Sequence, residues 1–170
     1  MTSFLTASAA STLAPPAIEP KSSFSLAIHR YTNYQIVDFR LPGVAVLGLD
    51  DRPPMGRGWG PSPEHLLGSA LGACLGAALL RVMRAAGAEV LEIRTDVSGA
   101  IQGDALSRER VTGITVRLIP VVASRSDLDV VPSAERLAEL SLVADALRPD
   151  LHLSVAITPE VREAQHRLRH

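Results

Sequence analysis

The chain of 170 residues has a single cysteine, a single tryptophan and only 4% aromatic residues. One thiol cannot close an internal disulfide, so the fold owes nothing to an oxidising compartment. Charge of one sign is also missing. Seventeen Lys and Arg against 18 Asp and Glu leave a net charge of −1, with the basic residues scattered. That balance offers no electrostatic footprint for nucleic acid or an anionic membrane surface. The most apolar stretch, around Cys74, is interrupted by Gly68, Ser69, Gly72 and Gly76 and stops at Arg81. It reads as too short and too polar-flanked to span a bilayer. The first twenty residues, MTSFLTASAASTLAPPAIEP, lack a basic start and a continuous apolar run, which speaks against a secretory signal. Cytoplasm is the expected location.

Hydrophobic residues make up 46% of the chain, enough for one domain with a real core. Pro15-Pro16 and the Ser/Thr/Ala bias mark residues 1–21 as a flexible N-terminal arm, disordered or extended. From Phe24, alternation predicts a strand with Phe24, Leu26 and Ile28 on one face, followed by strands in YQIVDFR and VAVLGLD. The loop DDRPPMGRGWGPS, residues 50–62, leads to Ser62-Pro63-Glu64. This is an N-cap, a proline at the first helical position and an acid in the first turn. The helix runs to about Ala86, with Gly87 placed to end it. Strands in VLEIRTDVSGAI and VTGITVRLIPVVA follow. A second helix opens at Ser133, carries Leu137, Leu140, Ala144 and Leu147 inward, and ends before Pro149. LHLSVAI is a last strand, and residues 159–170 form a polar tail with helical potential. The order β-β-β-α-β-β-α-β, with antiparallel links dominant, is α+β.

Cys74 lies on an apolar helical stripe, where a free cysteine ordinarily acts as a small hydrophobe. A reactive thiol would need a nearby cation or helix N-terminus to ionise it. Glu64 suits the first helical turn without any catalytic role. Ten helical residues separate it from Cys74 by roughly 15 Å along the axis and leave the two on different faces. They can act together only if a second copy of the helix lies antiparallel, an approach that Gly68, Gly72, Gly76 and Ala77 would permit. Arg30 falls on the apolar side of the first strand, so it either reaches solvent or an ion pair, or it serves a thiolate. Arg52 and Arg57 are its rivals. Five histidines show no ligand-like grouping beyond His166 and His170 at i,i+4, so neither a metal nor another cofactor is expected. GRGWG lacks the strand–loop–helix context of a phosphate cradle.

The stretch GPSPEHLLGSALGAC resembles the signature of the OsmC/Ohr superfamily, the osmotically inducible and organic hydroperoxide resistance proteins. There a Pro-Glu pair opens the central helix and a reactive cysteine follows eleven residues after the proline. Pro63, Glu64 and Cys74 match that spacing, and the likeness extends over about residues 22–158. The resemblance implies an intertwined homodimer with antiparallel sheets and two central helices, and two sites at the subunit interface. It implies that Cys74 attacks an organic hydroperoxide, that Arg30 stabilises the thiolate and that Glu64 holds the arginine. The family's peroxidases carry a second, resolving cysteine near the end of the second helix. LVADALRPDLHLSV has none, its place falling at Arg148-Pro149, so recycling would need an external thiol reductant. The alternatives are a peroxidase-inactive dimer that binds a small apolar or electrophilic ligand, and a dimer in which Cys74 only packs.

Overall fold

The computed structural model describes residues 24–32, 34–103, 109–148 and 151–162. The expected N-terminal arm therefore lies outside the described residues, as do His166 and His170. The described residues form two sheets and one long helix that packs on the second sheet. Strands β1 (Ala27–Arg30), β2 (Gln35–Asp38) and β3 (Leu47–Leu49) form an antiparallel meander in chain order. The second sheet contains β4 (Val90–Gly103), β5 (Glu109–Val122), β6 (His152–Ile157) and β7 (Glu160–Val161). β4 pairs with β5 antiparallel, while β6 and β7 follow one another along the other edge of β5, both parallel to it. The architecture is α+β, as the alternating patterns indicate.

Helix α1 (Pro63–Ala85) starts as its sequence dictates, with Ser62 as N-cap, Pro63 in the first position and Glu64 in the first turn. Gly87 takes φ +89° just beyond its end, a conformation open to glycine at little cost. With 23 residues, α1 is long and apolar enough to cross a membrane by length and composition, contrary to the expectation that it is too short. Its apolar face is used otherwise. Leu71, Leu75, Ala78, Leu79 and Met83 are fully buried in one cluster with Val116, Leu118, Val122, Leu137 and Ala144. Each such leucine stabilises the fold by about 2 kcal/mol.

The glycines of α1 serve this chain's own sheet. A Cβ at Gly72 would meet Val97 Cγ2 at 2.8 Å and Thr95 Cγ2 at 3.2 Å, and one at Gly68 would meet Val97 Cγ1 at 3.3 Å. Gly68, Gly72 and Gly76 thus let β4 approach, rather than a second helix, as was expected of them. Of that set only Ala77 stays exposed. On the opposite face of the sheet, Arg94–Glu160, Arg117–Asp96 and Arg162–Glu92 form exposed ion pairs. Pairs of this kind are worth about 0–1 kcal/mol and mark a solvated surface.

Two expectations need correction. The second helix is not continuous. A 3-10 turn (Arg125–Val130) precedes two short helices, α2 (Ala134–Glu139) and α3 (Leu142–Leu147). Ser141 breaks the pair by capping α3, its hydroxyl accepting from the Ala144 amide at 3.3 Å. Ser133 caps α2 as expected, but Leu140 turns out 41% exposed instead of inward. Beyond Thr158-Pro159, the chain enters β7 rather than a helix, because the free edge of β5 at Val121 and Val122 offers hydrogen bonds to Glu160 and Val161.

Candidate functional site

Cys74 sits three turns into α1 and is half-buried. Burial pushes its thiol up. The Ser141 hydroxyl, the backbone amides of Val143 and Leu142 and the Arg81 charge act the other way, and together hold the thiol below its ordinary value. The lowering influences come mainly from the start of α3. Such a set favours a thiolate, the nucleophilic form. Arg148, the place the sequence offered for a second thiol, instead pairs with Asp145 at 3.4 Å. Sequence reasoning missed Ser141. Its one signal was a serine at the head of Leu-Val-Ala-Asp, an N-cap pattern hidden inside a longer apolar periodicity.

Glu64 lies elsewhere. The Ser62 hydroxyl and its own backbone amide stabilise the carboxylate, and the charges of His65 and Arg52 add to them, so its pKa is lowered. The same Ser62 hydroxyl is 2.6 Å from His65 Nδ1. Glu64, His65 and Arg52 border a cavity of about 540 Å³ between α1 and β4, with Val97, Ile101 and Ile114 as its apolar wall. Cys74 is absent from that lining. Within one chain, the acid and the thiol do not meet, as the helix geometry requires.

The arginines sort themselves by position. Arg30 is exposed and pairs with Asp51 at 3.5 Å. Arg52 is the arginine on Glu64's side of the fold. Arg57 lies over the Trp59 ring, 4.7 Å from its centroid. The loop that carries Arg52 and Arg57 is organised by Asp50, only 6% exposed. Its carboxylate accepts from the Trp59 amide at 2.9 Å and from the Arg57 amide at 3.1 Å. Those bonds hold the Asp50 pKa down, the Trp59 amide foremost, and leave Trp59 itself 79% exposed. Among the described residues, no three His, Cys, Asp or Glu side chains gather as a metal ion would require.

A search among curated protein sequences finds no match. Solved structures do match. An organic hydroperoxide resistance protein OsmC from Legionella pneumophila superposes with a TM-score of 0.63 at 14% identity, covering 82% of this chain and 99% of its own. One from Elizabethkingia anophelis, with crystallant-derived thiocyanate bound, gives 0.63 at 15% identity, with coverage of 84% and 100%. An OsmC-like protein from Mycoplasma pneumoniae gives 0.63 at 15% identity, with coverage of 83% and 99%. Likeness at this identity establishes the fold. The profile of the family described as OsmC-like protein matches residues 56–156, a span that runs from the loop before α1 through β6 and takes in Glu64, Cys74 and Ser141. With the long helix, the paired sheets and more than half of the sequence in agreement, the chain belongs to the OsmC-like protein family.

Proposed function

We propose that the protein reduces organic hydroperoxides with Cys74 as its only redox thiol. The observation that carries this reading is the lowered pKa of Cys74, to which the Ser141 hydroxyl and the Val143 and Leu142 amides contribute and which favours the thiolate. The thiolate attacks one peroxide oxygen, the O–O bond breaks, and the alkoxide leaves with a proton as the alcohol. Cys74 becomes a sulfenic acid. One external thiol condenses with it, releasing water and leaving a mixed disulfide, and a second thiol restores Cys74.

The working form in this reading is a homodimer. The partner's Glu64 and Arg52 complete the site around Cys74, with Arg52 taking the role first assigned to Arg30. Two features support the assembly. Glu64 and Cys74 lie apart in one chain, and the β1–β3 meander keeps Ile28, Val44 and Val46 more than half exposed. A folded chain ordinarily covers an apolar patch of that kind with a partner.

The cavity beside Glu64, with its mixed polar and apolar lining, favours a second reading: a peroxidase-inactive dimer that binds a small apolar or electrophilic ligand there. One experiment separates them. The protein is treated with cumene hydroperoxide in the presence of dimedone and its mass is measured. A dimedone adduct at Cys74, with peroxide consumption lost in Cys74→Ser, supports the peroxidase. Consumption that survives in Cys74→Ser, or a Cys74 that takes no adduct, leaves the binding reading.

A further inference from the structure

His65 joins Ser62 in a capping box at the start of α1. The Ser62 amide donates to His65 Nδ1 at 3.3 Å, and the Ser62 hydroxyl lies 2.6 Å from the same nitrogen. A capping box needs an acceptor at this position, which Glu or Gln ordinarily supplies. Histidine meets the need with one ring nitrogen and keeps the other. A backbone amide can only donate, so in the neutral ring Nδ1 carries the lone pair and the proton sits on Nε2. Among the described residues, every hydrogen bond of the ring falls on Nδ1 and none on Nε2. Ser62 is only 3% exposed, whereas His65 is exposed and borders the cavity of about 540 Å³ together with Glu64 and Arg52. With Nδ1 turned back on a buried serine, the edge of the ring left to the cavity is the one that bears the Nε2 proton. The cap thus holds this donor in place before any ligand arrives.

Resting on the hydroperoxide reading above, we propose that His65 is a catalytic residue: its Nε2–H binds the oxygen that leaves as the peroxide O–O bond breaks at the partner's Cys74. The thiolate takes one oxygen with its hydrogen and becomes a sulfenic acid. The electron pair of the O–O bond passes to the other oxygen, which leaves as an alkoxide and takes a proton from solvent. Charge on that oxygen grows only as the bond breaks, so a fixed donor binds it more tightly in the transition state than in the bound peroxide. A neutral imidazole at a helix start can act in this way without becoming a cation. Arg52, with its full charge, suits the thiolate, which is anionic from the outset. Glu64 has no proton to offer when ionised and cannot take the part.

The test uses the full chain and the variants His65→Gln, His65→Glu and His65→Leu. Gln and Glu both accept from the Ser62 amide and keep the capping box, but only Gln also brings N–H groups, and Leu brings neither. Each is compared with wild type by thermal melting, by the rate of Cys74 alkylation with iodoacetamide, and by the rate at which cumene hydroperoxide produces a dimedone-trapped sulfenic acid. Iodoacetamide reacts without any leaving oxygen, so it reports on the thiolate alone. His65→Gln is expected to keep the wild-type rates. His65→Glu and His65→Leu are expected to form the sulfenic acid about tenfold to a hundredfold more slowly, the worth of one hydrogen bond to a charged oxygen. Alkylation is expected to stay as in wild type, and only His65→Leu, which loses the cap, to melt earlier. In ring-nitrogen NMR at mildly alkaline pH, the His65 signals, assigned by their absence in His65→Gln, are expected to show the Nε2–H tautomer.

The proposal is overturned if His65→Glu and His65→Leu form the sulfenic acid as fast as wild type. It is equally overturned if alkylation slows as much as the peroxide reaction, or if the proton is found on Nδ1. A wild-type Cys74 that alkylates readily yet never yields a sulfenic acid removes the hydroperoxide reading, and this role with it. The wild-type adduct therefore tells the two failures apart.

Discussion

At the scale of single residues, the chemistry turns on which groups surround one sulfur atom. Mid-helix, the dipole of α1 offers Cys74 little, and the donors come from a neighbouring helix instead. Since the anion is the nucleophile, the rate of Cys74 alkylation should rise with pH and level off. Its midpoint should lie below the ordinary thiol value of ~8.5. A midpoint at or above that value would contradict the donor set. Glu64 follows the opposite edge of the pH scale. Its carboxylate is favoured in the folded chain, so whatever stability it adds is complete above the ordinary carboxylate pKa and fades as pH falls through the lowered one. Glu64→Gln should therefore flatten the acid limb of a thermal-stability profile measured by calorimetry. An unchanged limb would show that the Ser62 and Arg52 contacts do not act on this carboxylate. Glu64 and Cys74 were legible in the sequence because a helix start and an apolar stripe are local patterns. Ser141 was not, because its effect on the Cys74 thiol acts across 67 positions that no local pattern encodes.

At the scale of elements, α1 was readable almost to the residue, from Ser62-Pro63-Glu64 at one end to Gly87 at the other. What its glycines face was not, since small side chains permit close approach without saying of what. The contacts now distinguish them. Gly72→Ala gains about 1 kcal/mol of helix propensity, but its methyl would press on Val97, a β-branched side chain with little freedom to turn. Overpacking of this kind costs about 1–3 kcal/mol, so the variant should be destabilised on balance. At Gly76 the nearest atom is Thr95 Oγ1 at 3.6 Å, an ordinary contact. Gly76→Ala should stabilise by about 0.5–1 kcal/mol. Urea denaturation of the two variants checks the pair, and the same sign of change in both would contradict the packing of α1 on β4. The region after β5 was the least legible element. Leu137, Leu140, Ala144 and Leu147 have a helical period, yet Ser141 offers its own cap within that run, and the local hydrogen bond prevails over the longer pattern.

At the scale of the whole molecule, strand order and the α+β class followed from alternation and turn residues, whereas the pairing of β6 and β7 along one edge of β5 did not. Parallel partners far apart in sequence leave no local trace. The assembly is open to a direct test by subunit exchange between Glu64→Gln and Cys74→Ser chains. If the acid acts across the interface, mixed dimers hold one complete site, and a 1:1 mixture should recover about a quarter of wild-type peroxide consumption. No recovery after confirmed exchange would place the two residues in one protomer's site. Trp59 gives the same question an optical readout. It is the only indole in the chain, held outward by the Asp50 carboxylate, so its emission colour reports on that loop alone. Dilution that separates two copies would redden the light if the loop is an inner wall of the assembly, and would leave it unchanged if the loop faces water throughout.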